Sequence, residues 1–586
     1  MSKKAEAVRP VRKPIPAKTI SVWIWPACIL GALILVFWAY APAAHAPFLF
    51  DDNTLLLNLP SRSLLEWFST LRPILMISYW LNTAISGTDT GSYHTVNVLI
   101  HCVASGLIYL VTRRILDWAN VEQRLRTPLA GFCALLFLLH PVQSEAVAYL
   151  AGRSESLSTL FFYAAFAIFL YRPQVRIGWA SAAAVIILFL FALGSKEQTI
   201  ALPALLLLTD YWWNPAFSFK GIAGNWKLYA PLALGAILGV VRFLPLMLHA
   251  TTAGFNMADL TWYQYLFTEF RAIFVYIREF IFPVGLNVDW EFSFSRSIFE
   301  YGAIVGLVAL LALIVLAWRY RRQFPLASYG FYAFLILMAP TSSILPIRDP
   351  IAERRLYFAI FGLLLIVADL LRRVKISRSV LSAACAAVLL LAALATHARA
   401  EVWSSELTLW TDTEAKSPDK PRSHFQLAHA YYNSGNCAQA ASEFEKTSHF
   451  KPEGYTPYNL LVDWGLSLDC ASQPGAAISK LSQAATLEPT AHVYTQLAKV
   501  YGDQANWAMF DDALKRAQAI DPNFPTIYAY RGIGDLKLNR PAEAMAEFNH
   551  ALQLDPTLEP AKQGLMAARQ QLMRQQQAPR AIPAGR

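Results

Sequence analysis

Through roughly the first 400 residues, apolar runs of about 17–22 residues recur, the length a helix needs to cross the hydrocarbon core of a bilayer. They fall near 21–40, 93–112, 128–148, 155–171, 177–193, 199–213, 229–249, 301–318, 326–345, 355–371 and 379–397. One more segment, 268–283, carries Glu269, Arg271, Arg278 and Glu279. A lipid-facing helix would expose each of these at a cost of about 2.5–3.5 kcal/mol near mid-bilayer. Beyond 397–402 the runs stop and the chain reads as soluble and helical. The 55% hydrophobic content and mean hydropathy of +0.35 therefore describe two unlike parts in one 586-residue chain.

Basic residues decide orientation. Lys3, Lys4, Arg9, Arg12 and Lys18 precede the first run. Ala43-Ala44-His45-Ala46 only loosely resembles a signal-peptidase site, and Pro47 would follow the cut, so the run is expected to stay as an anchor. With the N-terminus cytoplasmic, the inside loops carry Arg113, Arg114, Arg124 and Arg126, then Arg172 and Arg176, then Lys220 and Lys227. If 268–283 re-enters or lies along the surface, the basic clusters 319–322 and 372–375 also fall inside. About eleven crossings result. Segments 41–92, 141–155, 194–198, 250–300, 346–354 and everything after 397 then face away from the cytosol. The net charge of +10 is thereby accounted for by short loops, which argues against nucleic acid as a partner. The six cysteines show no CxxC pair and no zinc spacing, so no metal ligands are read here.

After residue 400, Pro418, Pro452, Pro489, Pro522 and Pro556 recur at close to the 34-residue period of tetratricopeptide repeats. Small and aromatic positions recur with them, as in Ala440-Ala441-Ser442-Glu443-Phe444 and Ala544-Met545-Ala546-Glu547-Phe548. Paired helices stacking into a solenoid are expected over 401–570, with a frayed tail from 571. Cys437 and Cys470, 33 residues apart, read as equivalent positions in neighbouring repeats. A disulfide there is left open, because successive repeats can hold Cα atoms farther apart than about 7 Å.

The charged residues of interest lie in the outward segments. Phe48-Leu49-Phe50-Asp51-Asp52-Asn53 puts two adjacent carboxylates beside a low-dielectric boundary. They are either a loop cap or a general base whose pKa is raised enough to take a proton from an alcohol. His94, Asn97, His101 and Ser105 line one face of a helix, for hydrogen bonding between helices or for substrate. In His140-Pro141-Val142-Gln143-Ser144-Glu145 and Gly152-Arg153-Ser154-Glu155, Arg153 either pairs with Glu145 or Glu155 or grips a phosphate. Lys196-Glu197 and Glu353-Arg354-Arg355-Leu356-Tyr357 open further crossings on the same side. A base with several cations facing it suits transfer from a phosphate-linked lipid to a hydroxyl, the cations stabilising the departing phosphate.

In order along the chain stand Phe50-Asp51-Asp52, Arg72-Pro73 with Ser78-Tyr79-Trp80-Leu81-Asn82, His94-x-x-Asn97-x-x-x-His101, His140 to Val147, Gly152 to Glu155, Ser195-Lys196-Glu197 and Ala352 to Tyr357. This set resembles the transmembrane and tetratricopeptide-repeat O-mannosyltransferases of the glycosyltransferase-C superfamily. The resemblance implies an all-α membrane bundle followed by a solenoid, a polyprenyl-phosphate-linked sugar as donor, inversion at the anomeric carbon, and Ser or Thr of a protein as acceptor. It maps the catalytic aspartate to Asp51 or Asp52. His94, His101, Glu145, Arg153, Glu155, Lys196, Glu197, Glu353, Arg354, Arg355 and Tyr357 are the candidate substrate-binding residues. The short repeat array suits a bacterial relative with its repeats in the periplasm, where the sugar need not be mannose; the need for a divalent metal is left open. Transfer to a glycan or glycolipid, and a non-enzymatic membrane scaffold, are the competing readings.

Overall fold

The structure is a computed structural model that describes residues 24–52, 66, 70–172, 175–249, 254–257 and 259–577. The basic N-terminus, Asn53 and the tail beyond 577 lie outside the described residues. All regular elements described are helices, in two units: Met1–Leu286 with Phe294–Ser404, and Asn287–Ser293 with Ser405–Arg586.

The first unit holds α1 (Ile24–Tyr40), α2 (Pro73–Ser86), α3 (Thr90–Trp118), α4 (Gln123–Leu139), α5 (Ser144–Ala148), α6 (Arg153–Leu170), α7 (Trp179–Leu193), α8 (Leu202–Trp213), α9 (Lys220–Gly224), α10 (Trp226–His249), α11 (Trp262–Ile281), α12 (Ala303–Arg319), α13 (Pro325–Met338), α14 (Leu356–Leu371) and α15 (Arg378–Val402). Each expected apolar run overlaps one of these helices. Among the described residues, four helices are long and apolar enough to cross a membrane: Pro26–Ala43, Thr90–Trp118, Glu300–Arg319 and Arg378–Val402. A fifth results if α4 and the segment Pro141–Ala148, bent by 50°, form one span. Of the other runs of the expected eleven, α10 has 24 residues without counting among these candidates, and the helices on the rest have 18 or fewer. Beside several of them polar motifs wind as 3-10 turns, at Pro141–Gln143, Leu150–Gly152, Glu197–Ala201 and Glu353–Arg355. The ambiguous segment is α11, started by a capping box of Thr261 and Gln264, and it is not among the candidate spans.

Helices α13 and α14 touch through glycine. A Cβ built on Gly330 would run into the Gly362 carbonyl oxygen, and one on Gly362 into that of Gly330. Gly330→Ala or Gly362→Ala must therefore push two backbones apart. A loss of about 1–3 kcal/mol is expected, seen as a lower melting temperature in detergent; an unchanged melt would show that the helices can separate freely.

The second unit stacks the helix pairs α17 (Pro421–Asn433) and α18 (Cys437–Ser448), α19 (Pro457–Cys470) and α20 (Pro474–Leu487), α21 (Ala491–Asp503) and α22 (Trp507–Ile520), and α23 (Pro525–Lys537) and α24 (Pro541–Leu554). The helix α16 (Glu406–Lys416) precedes them and α25 (Glu559–Gln577) follows. Pro452, Pro489, Pro522 and Pro556 stand shortly after the second helix of a pair, and Pro418 after α16, where no further N–H is needed. Buried alanines let the helices approach, and aromatic rings close the gaps: the Phe510 ring lies against Gly502 and Gly534, and the Phe548 ring against Gly532 and Gly564. The tail is helical to Gln577, seven residues past the expected fraying point, with Gln571 and Gln575 both donating to Asn539.

Cys437 and Cys470 form a disulfide, with Cα atoms 5.6 Å apart. They are not equivalent positions: Cys437 opens α18 and Cys470 closes α19, two ends that meet. Cys437→Ser should cost the repeat unit about 3–4 kcal/mol, as expected for closing a loop of this length. Denaturant unfolding followed by tryptophan fluorescence, with and without reductant, measures it; equal midpoints would mean the bond is not formed in solution.

Asn287–Ser293, from the connection between α11 and α12, packs with the repeats. Asp289, 2% exposed, accepts two bonds from the Arg422 guanidinium and pairs with Lys420 at 2.9 Å. Ser417 Oγ accepts from Asn287 Nδ2 at 2.7 Å and donates to the Asp289 carbonyl at 2.8 Å. The chain therefore passes between the units three times.

Candidate active site

Residues 140–155 form the hub of the first unit's polar chemistry, and all but Ala151 are buried. Two 3-10 turns and the five-residue α5 fold this stretch back on itself. Gly152 permits the fold, because a Cβ there would sit 2.6 Å from the Glu145 carbonyl oxygen. Every charged segment singled out in the sequence is attached to this hub.

The acidic turn is attached by its backbone. Asp52 is 1% exposed; Oδ2 accepts from Leu49 N–H at 2.9 Å and Oδ1 from Ala151 N–H at 2.7 Å. Burial pushes its carboxyl up to about 7, against the downward pull of those two N–H groups and of Arg153. Asp51 is exposed, and its N–H donates to Tyr149 Oη at 3.0 Å. Phe50 between them and Leu49 has φ +46°, a left-handed conformation that a bulky L residue adopts only under constraint. The adjacent carboxylates thus differ: one is a brace and the other faces outward.

The cations attach through ion pairs. Arg354 Nη1 and its backbone N–H both bond Glu145. Lys196 and Gln198 hold the two oxygens of Glu155. Arg72 grips Glu197 bidentately, at 2.6 and 2.9 Å. Arg72, Lys196, Arg354 and Glu155 lie within electrostatic reach of one another, and Tyr149 feels Asp51, Asp52 and Arg354 together. Side chains of Arg72, Glu197 and Arg354 are 31%, 59% and 34% exposed, and Lys196 is 13% exposed. Acid turn and cations converge on the hub.

Several expected contacts are instead structural. Arg153 is fully buried and bonded to Asn97 Oδ1 (2.7 Å), Asn82 Oδ1 (2.8 Å) and the carbonyls of Tyr93 (3.1 Å) and Ser78 (3.3 Å), with the Tyr79 ring 4.6 Å away. It pairs with neither Glu145 nor Glu155 and has no surface on which to grip a phosphate. Arg355 is spent on the carbonyls of Asp349 and Pro350. Glu353 is buried opposite Arg399 at 3.7 Å. His94 bonds the Ala46 carbonyl at 3.2 Å, and His101 bridges the Leu138 carbonyl and the Tyr357 hydroxyl. The stripe on α3 ties helices together, and Asn97 within it positions Arg153. Sequence reasoning gave no role to Arg72, Gln198 or Tyr149; of these only Arg72 had a signal, its place just before a Pro-initiated helix. Among the described residues, no three His, Cys, Asp or Glu side chains group to hold a metal.

No protein-family model matches the sequence. Over 540 aligned residues the chain is 26% identical to protein O-mannosyl-transferase TMTC3 of Mus musculus, covering 83% of this chain and 57% of that protein. Over 607 residues it is 23% identical to protein O-mannosyl-transferase TMTC3 of Homo sapiens, covering 90% and 64%. The chain therefore spans about three fifths of the length of these curated relatives. A tetratricopeptide-repeat protein of Thermus thermophilus aligns with 31% of the chain and 95% of its own at 21% identity and a TM-score of 0.25. The repeat assignment rests on the helix pairs and not on that score. Over most of its length, the chain is similar to proteins named as O-mannosyl-transferases.

Proposed function

We propose that this protein is an inverting membrane glycosyltransferase that moves a sugar from a polyprenyl-phosphate carrier to Ser or Thr of a protein on the non-cytoplasmic side. The observation that carries the reading is the pairing, on one hub, of an exposed carboxylate on a constrained turn with three clustered cations. Asp51 takes the proton of the acceptor hydroxyl as its oxygen attacks the anomeric carbon. The bond from that carbon to the phosphate oxygen breaks on the opposite side, and the polyprenyl phosphate leaves with the electron pair. Arg354, Lys196 and Arg72 face the charge that develops there. Each is paired with a carboxylate, which holds it in place before the donor arrives.

The repeat unit supplies a surface for the protein acceptor. The Cys437–Cys470 disulfide supports an oxidising compartment for that unit, the periplasm if the membrane is a bacterial inner membrane. The test uses detergent-purified full-length protein with radiolabelled polyprenyl-phosphate sugars, mannose first, and protein or peptide acceptors. It is run with EDTA and with added divalent ions, so that any metal requirement appears in the same assay. Label on Ser or Thr with inverted linkage is expected. Label appearing only on glycan or lipid, or with no donor tried, would overturn the protein-directed reading.

A further inference from the structure

The group that touches the backbone of the exposed carboxylate is a phenol. Tyr149 is 6% exposed and lies between α5 and the Leu150–Gly152 turn. Its hydroxyl accepts the Asp51 N–H, its ring stacks on the Trp403 indole with centroids 5.4 Å apart and planes at 25°, and its carbonyl accepts from Asn97 Nδ2 at 3.4 Å. Two residues on, Ala151 N–H holds Asp52. The acidic turn is thus gripped at both carboxylate residues from one three-residue stretch. A turn with Phe50 at φ +46° needs such a grip, since it would relax if released. Trp403 is 1% exposed, follows the last turn of α15, and stands two residues before Ser405, where the chain enters the repeat unit.

The geometry points to Tyr149, seated on Trp403, as the positioning residue that aims the Asp51 carboxylate and ties that aim to the end of α15, from which the chain enters the repeats. The inference rests on the transferase reading above. Asn97 bonds the Tyr149 carbonyl, Trp403 stacks on its ring, and its hydroxyl reaches the turn. The phenol stays protonated, because burial and the nearby Asp52 and Asp51 charges all push its pKa up. The oxygen is therefore a neutral, fixed acceptor for the Asp51 N–H.

Tyr149→Phe removes that acceptor and keeps the ring and its stacking. In single-turnover assays with saturating donor, the rate constant should fall about tenfold, the scale of one lost hydrogen bond, with the amplitude unchanged. Hydrogen exchange at the Asp51 amide should quicken in the same variant. Trp403→Leu, which leaves the hydroxyl but frees the ring, should lower the rate constant in the same direction with donor KM kept. A structural role alone would lower the amplitude, the fraction of active molecules, and leave the rate constant intact; that result overturns the inference. So does wild-type exchange at Asp51 in Tyr149→Phe. Absence of transfer by the wild type defeats the transferase reading instead, while the exchange measurement still decides whether Tyr149 holds the turn.

Discussion

Asp51→Asn is expected to lower protein glycosylation about 10²–10⁴-fold, the usual contribution of a positioned general base, without changing the melting temperature. The asparagine has the same shape and keeps the backbone N–H that Tyr149 accepts, so the turn remains. What disappears is the charged oxygen that, in this reading, takes the acceptor's proton. Donor affinity should survive, because Arg354, Lys196 and Arg72 are held by Glu145, Glu155 and Glu197. Initial rates over a donor titration, beside a thermal melt of the same preparation, separate the two. Wild-type rates in Asp51→Asn would remove Asp51 as the base.

Asp52→Asn is the informative contrast. Its side-chain amide must turn N–H groups toward either the Leu49 or the Ala151 N–H, leaving a buried donor facing a donor. Turn stability is therefore what this variant loses first. Its pH dependence has a definite sign. The folded pKa of Asp52 is raised from 3.8 to about 7 by burial, so the stability it contributes belongs to the protonated form. That contribution is complete below about 3.8 and is lost as pH rises through about 7, and the difference from Asp52→Asn, which cannot titrate, should shrink over that window.

How much of this was readable beforehand depends on how far apart the partners stand. The apolar runs and the repeat period are local patterns, and they located the helices and the pairs. The acidic turn and the Lys196 and Arg354 segments were equally visible, as charge where apolar sequence ends. Whether a given charge is exposed was not visible. In Gly152-Arg153-Ser154-Glu155, Arg153 reads as paired with a nearby glutamate or as a phosphate grip, yet its bonds go to Asn97 and Asn82, 56 and 71 residues away. Tyr149 sits in an apolar stretch and reads as core, because nothing nearby announces a partner 98 residues earlier. Asp289 stands in the outward segment 250–300 with nothing nearby to distinguish it, and its partner Arg422 is 133 positions on, in the unit that Asn287–Ser293 joins.

The second large effect concerns a residue that the apolar pattern hid. Asp210 lies inside Leu205-Leu206-Leu207-Leu208-Thr209-Asp210-Tyr211-Trp212 and is fully buried. Oδ1 accepts from Arg172 Nη2 at 2.9 Å and Asn214 Nδ2 at 3.1 Å; Oδ2 accepts from Asn225 Nδ2 at 2.6 Å and Tyr229 Oη at 2.7 Å. Arg172, expected from the sequence as a basic residue of an inside loop, is 6% exposed and also donates to the Phe169 carbonyl at 2.6 Å. Asp210→Ala leaves a buried guanidinium without its counter-charge, which costs about 3–5 kcal/mol, and strands three further donors. Folded yield and melting temperature in detergent should both collapse. Adding Arg172→Leu to Asp210→Leu removes the buried charge, so partial recovery is expected. Recovery should stop short of wild type, because Asn214, Asn225 and Tyr229 still lack their acceptor. Full recovery would mean that the ion pair alone matters and that the four-donor network around Asp210 holds nothing together.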